Sequence, residues 1–160
     1  MVPDIRAIAL TLLAMLITLS ARLANASDVE AASSPLAVIE TRQAGFKKMG
    51  AAMKAIVEQL KSATPDQSKM AAATQVISSF STEPLHWFPA GTGTEAGVDT
   101  DALPNIWTDR AKFDSLATRL VAESKTLTTT MSGTDLTAIK TQVKALSEVC
   151  STCHKSFRSD

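Results

Sequence analysis

The chain has no tyrosine, and its entire aromatic stock is five Phe and two Trp in 160 residues. A core of that composition is aliphatic, or it is filled in part by something other than side chains. Neither charge sign is in excess, since Lys+Arg and Asp+Glu both number 16. That balance gives no argument for nucleic acid binding, which needs a basic surface, and none is expected. Cysteine and histidine are scarce, at two each. A structural zinc site takes about four soft ligands, and outside the cluster at 150–154 only His86 remains to serve as one. The N-terminal apolar run, Ala7 to Leu19, spans 13 residues. That is short of the roughly 20 that cross a bilayer. No strand-like alternation, internal repeat or low-complexity tract stands out.

What is present near the start reads as an export signal. Arg6 and the N-terminal amine, diluted by Asp4, precede the apolar run, and Ala24-Asn25-Ala26 supplies small residues for a signal peptidase. Cleavage is expected after Ala26, leaving one domain over 27–160 in the periplasm. Removing Arg6, Arg22 and Asp4 leaves that domain within one charge of neutral.

Four helical segments follow. The first is expected from about Pro35 to Ser62, capped by Ser34 with proline at the first helical position. Ile39, Phe46, Met53 and Leu60 form one heptad row. Met49 and Ile56 belong to a second row whose first slot is Arg42, where an unpaired charge is costly. Thr64-Pro65-Asp66 opens a second helix with Thr64 as its cap. The inner face of this helix is Met70, Ala73, Val76, Ile77 and Phe80, and it ends before Pro84. Residues 82–103 make the one long loop, which carries three glycines. Loops of that length often cover a site. A third helix is expected to run unbroken from Pro104 to about Ser132. A fourth is capped by Thr134 and runs to about Phe157. Four amphipathic helices of this kind point to an all-α antiparallel bundle.

The chemistry sits late in the fourth helix. Cys150-Ser151-Thr152-Cys153-His154 has the spacing of a c-type haem attachment site. Residues three apart share a helix face, so both sulfurs reach the vinyl groups along one porphyrin edge. The adjacent histidine supplies the axial ligand. A disulfide, a zinc half-site and a thioredoxin-like pair are the competing readings. The last of these lacks its βαβ setting.

With this motif at the C-terminal end, the chain resembles cytochrome c′. The stretches that carry the likeness are Arg42-Gln43-Ala44-Gly45-Phe46-Lys47-Lys48-Met49-Gly50, Trp87-Phe88-Pro89 with Gly91-Thr92, Pro104-Asn105-Ile106-Trp107, and Cys150 to Arg158. The resemblance implies an up-down-up-down four-helix bundle with one covalent haem c on the last helix. It implies that Arg42 pairs with a haem propionate beside Gln43. It also implies that Phe46 covers the iron face opposite His154, leaving the iron five-coordinate. Arg158, one turn after His154, matches an arginine near the proximal face, although a surface cation favoured by the helix dipole fits equally. Lys155 stands where many relatives carry an acid.

The function this implies is binding of small neutral ligands, NO and CO, at an open iron. A six-coordinate electron carrier is the alternative. It would take an axial Met49 or Met53 from the first helix, together with a redox partner that the sequence does not name. A haem enzyme is disfavoured, since no distal His and Arg pair is visible for acid–base work. His86, in a proline-bounded loop, reads as structural or exposed, and Trp87 and Trp107 as packing residues. A homodimer through the first two helices is a further expectation of the resemblance.

Overall fold

A computed structural model of the chain describes residues 34–159. The expected signal peptide and its cleavage after Ala26 lie outside the described residues. Five helices follow: α1 (Pro35–Lys61), α2 (Gln67–Phe80), α3 (Asn105–Thr108), α4 (Arg110–Met131) and α5 (Leu136–Phe157). Two 3-10 turns, Glu83–Leu85 and Thr94–Ala96, interrupt the long connection before α3. The described residues are helical with no strand; their only β-type pairing is an isolated bridge between Ala102 and Arg158.

Local chemistry sets the helix ends. Ser34 caps α1 as expected, its Oγ accepting from the Ala37 N–H at 3.2 Å. The other two expected caps shift. Asp66, not Thr64, caps α2 through the Lys69 N–H, and Asp135, not Thr134, caps α5 through the N–H groups of Thr137 and Ala138. In both cases the later residue is an aspartate, whose carboxylate is a stronger acceptor than a hydroxyl and opposes the helix dipole favourably. The N–H bonds accepted by Asp66 hold its carboxyl below the usual range.

The third helix is broken where the sequence pattern runs straight through. At Asp109 the backbone leaves the helical region (φ −116°, ψ 49°), separating α3 from α4. Just beyond the break, Arg110 donates to the Leu85 and Phe88 carbonyls at 2.9 and 3.1 Å and pairs with Asp114. The bend thus ties the loop to the start of α4.

In α1 the inward stripe also differs from the expected one. Ile39, Arg42, Gly45, Met49, Ala52 and Ile56 are buried, whereas Phe46, Met53 and Leu60 are only partly so. The row containing the arginine is therefore the deeper one. A turn of 3.6 residues drifts against a strict heptad, and the small residues Gly45 and Ala52 extend the buried stripe beside it.

α1 packs along α2, α2 along α4, and α4 along α5, while α1 and α5 meet over only a short stretch. The core falls into two clusters. One is aliphatic, with Met49, Ile56, Met70, Ile77, Leu127, Ile139, Val143 and Leu146 among its members. The other gathers Trp87, Phe88, Ile106, Phe113 and Phe157, with Phe46, Phe80, Trp107 and Cys153 packed against it. All seven aromatic residues of the chain are in this second cluster. It joins the end of α2, the start of α4 and the end of α5, as an up-down-up-down bundle requires. No described helix is long and apolar enough to cross a membrane.

Candidate functional site

The last two turns of α5 carry the cysteines. Cys150 and Cys153 are free thiols, both half-buried, and Cys153 touches the aromatic cluster. Burial pushes both thiols up, Cys153 to about 11 with a further contribution from its neighbour. His154 is exposed on the last turn. Partial desolvation, and secondarily the Arg158 charge, hold its imidazole below the ordinary value. Among the described residues no group of three or more His, Cys, Asp or Glu side chains could hold a metal ion, which removes the zinc reading there.

Arg42 reaches the same end of the bundle from α1. It is 2% exposed. Its Nη1 donates to Thr92 Oγ1 at 3.0 Å and its Nη2 to Thr100 Oγ1 at 2.8 Å. The guanidinium lies 4.7 Å from the centroid of the Phe88 ring. Among the described residues no carboxylate lies within ion-pair distance of Arg42. Burial lowers its pKa, and the more distant charge of Glu95 partly offsets that. Gln43 is exposed and donates to the Asp99 carbonyl at 3.0 Å.

Phe46 stands one turn beyond Arg42. Its ring meets Trp87 edge-on at 5.0 Å and Phe88 at 6.2 Å. This arrangement depends on Gly45. A Cβ there would clash with Cη2 and Cζ2 of the Trp87 indole, so only glycine lets Trp87 lie against α1. Phe46 also packs against the aliphatic cluster, where Met49 and Met53 lie.

The remaining site candidates are placed as follows. Arg158 caps α5 and pairs with Asp101, its Nη2 3.0 Å from Oδ2, and both side chains are more than half exposed. Lys155 and His86 are exposed. Trp87 is buried, and the half-buried Trp107 donates its indole N–H to the Phe88 and Pro89 carbonyls at 3.2 and 3.0 Å.

Residues 37–158 match the family model of cytochrome c′. The chain belongs to the cytochrome c′ family. It is 37% identical over 123 residues to a cytochrome c′ of Rhodopseudomonas palustris, covering 76% of this chain and 82% of that one. The solved cytochrome c′ of Thermochromatium tepidum superposes with a TM-score of 0.74 at 26% identity, covering 79% of this chain and 98% of that one. A second solved cytochrome c′, with the same score, identity and coverage, is described as having an unusual ligand-controlled dimer dissociation. The fold is thus that of a four-helix-bundle c-type haem protein, and the cofactor is one covalent haem c per chain.

The described residues fit such a group. Two unbonded thiols lie a turn apart, a histidine follows them, and a buried cation on the facing helix has no counter-ion. Sequence reasoning missed Thr100 and Asp101, and the role of Thr92, which together grip the two arginines across the long loop. Nothing local in the sequence marks them, since their partners lie 50 or more residues away. Gly45 did carry a signal, because a glycine inside a helix is costly and usually has a packing reason.

Proposed function

We propose that this chain is an exported haem protein whose iron has one protein ligand and binds small neutral molecules, NO and CO. Cys150 and Cys153 hold the haem through thioethers, and His154 ligates the iron. Arg42, with Gln43 beside it, faces a propionate. A buried guanidinium whose hydrogen-bond partners among the described residues are two hydroxyls, at 3.0 and 2.8 Å, suits an added carboxylate. When bound, the haem supplies an iron centre able to take a diatomic ligand. The protein holds that centre in a largely apolar setting and limits access to it.

The observation that carries this reading is the company Phe46 keeps. Phe46 packs against both clusters and so reaches the aromatic one that also receives Cys153, whereas Met49 and Met53 pack only in the aliphatic one. A phenyl ring has no lone pair to give to iron, so it covers a face without ligating it. This favours ligand binding over the methionine-ligated electron carrier, and it calls for no acid–base turnover.

Periplasmic location is part of the same proposal, supported by the signal-like N-terminus. So is pairing of two copies through α1 and α2. Ala51, Ala52, Ala72, Ala73 and Val76 line a shallow groove between those helices, and Val76 is exposed there. Small side chains of this kind permit close approach of a second bundle.

The test is the rate of CO binding to the reduced holoprotein. Phe46→Ala is expected to speed association by roughly tenfold, the equivalent of about 1.4 kcal/mol of steric barrier. An unchanged rate would show that Phe46 does not cover the iron.

A further inference from the structure

Adjacent residues of the long loop grip opposite sides of the bundle. Thr100 Oγ1 accepts from Arg42 Nη2 of α1 at 2.8 Å, and from the Ala102 N–H at 3.3 Å. Asp101 Oδ2 accepts from Arg158 Nε and Nη2 at the end of α5, at 3.1 and 3.0 Å. Backbone bonds reinforce the second grip. The Leu103 N–H donates to the Phe157 carbonyl at 3.0 Å and the Ser159 N–H to the Asp101 carbonyl at 2.8 Å, around the Ala102–Arg158 bridge. The first grip is reinforced by Gln43, which donates to the Asp99 carbonyl, and by Thr92, which takes the other arm of Arg42.

These two helices meet over only a short stretch, far less than α1 with α2 or α4 with α5. α1 carries Arg42 and Phe46, and α5 carries the cysteines and His154. We propose that Thr100 and Asp101 are positioning residues that make residues 99–103 a strap, setting the span between α1 and α5. This rests on the haem reading proposed above, in which those helices are the two walls of the cleft.

The chemistry of the contacts favours geometry over stability as their role. The Asp101–Arg158 pair is more than half exposed on both sides, and exposed pairs add little to folding. The Thr92 hydroxyl donates its own proton to the Pro89 carbonyl at 2.8 Å, so only its lone pairs face Arg42. The guanidinium is thereby aimed, with acceptors fixed at both Nη atoms. A shift of the strap at Asp101 moves Thr100 with it, because the two residues are neighbours in the chain.

Amide hydrogen exchange of the holoprotein tests this without any gaseous ligand, so it stands or falls apart from the CO experiment. Asp101→Ala touches only the α5 grip directly. The strap predicts faster exchange at residues 155–159 and also at 42–46 in α1, by about two- to thirtyfold, the range that coupling through such contacts spans. Thr100→Val, which keeps the shape and loses the acceptor, gives the same rise in α1. Thr100→Ser, which keeps the hydroxyl, restores the parent rate. Faster exchange confined to 99–103 and 155–159 in Asp101→Ala would overturn the proposal, as would a serine variant that behaves like the valine one. Should Thr100→Val not fold, Asp101→Ala alone decides.

Discussion

The two ends of the bundle are built from different materials. Toward the end where α1 and α4 finish, the core is Met, Ile, Leu and Val, and Ile56, Met70, Leu127 and Ile139 have no exposed surface. Toward the other end lie every aromatic ring, the buried Arg42, both thiols and the long loop. The aliphatic end needs only apolar area and complementary shape, which it supplies with side chains from regular helices. The aromatic end is held by long-range bonds that Arg42, Trp107, Arg110 and Arg158 donate to hydroxyls, carbonyls and a carboxylate of the loop. The difference teaches where the work of folding and the work of binding are done. On the reading proposed above, ligand control falls to the second region, while the first contributes apolar burial.

Three substitutions probe that division. Leu127→Ala deletes a fully buried side chain from the aliphatic end. It is expected to cost about 2–5 kcal/mol in urea unfolding while leaving CO association at the parent rate. A large change in ligand kinetics would break the separation of the two ends. Gly45→Ala is expected to cost less, about 1–3 kcal/mol, because Trp87 must shift to admit a methyl group. Its mark is qualitative: near-ultraviolet circular dichroism and CO kinetics change together, since Phe46 leans on the same indole. Stability loss with both signals unchanged would remove Trp87 from ligand control. The smallest effect has the opposite sign. Ser124 is a buried hydroxyl in α4 without a hydrogen-bond partner among the described residues. Ser124→Ala should raise unfolding stability by about 1 kcal/mol, by deleting a desolvated polar group from an apolar setting. A loss of stability would mean that this hydroxyl is satisfied in solution.

The two ends also differ in how far the sequence discloses them. The aliphatic end follows from periodicity, and the four long helices and most of their buried positions can be read without a structure. The aspartate caps were misassigned by one or two residues, because Thr64 and Thr134 are also good caps and local spacing does not rank them. The break at Asp109 was invisible, since it depends on Arg110 reaching the carbonyls of Leu85 and Phe88. At the aromatic end, the Cys150–His154 motif was legible from spacing, and Arg42 and Phe46 from family resemblance. The partners of Arg42 and Arg158 were not, because a loop's hydroxyls and carboxylates show no periodicity and meet their targets only in three dimensions. The burial of Arg42 was flagged as a charge on a seam, and the structure gives that seam position the deeper place in the core.

The central claim concerns the iron face under Phe46, and an absorption spectrum of the reduced protein tests it most directly. With one protein ligand on the iron, a broad high-spin spectrum is expected before any ligand is added, changing to a low-spin one when CO is admitted. Sharp low-spin α and β bands in the reduced protein without added ligand would contradict it, and would place a second protein ligand on the iron.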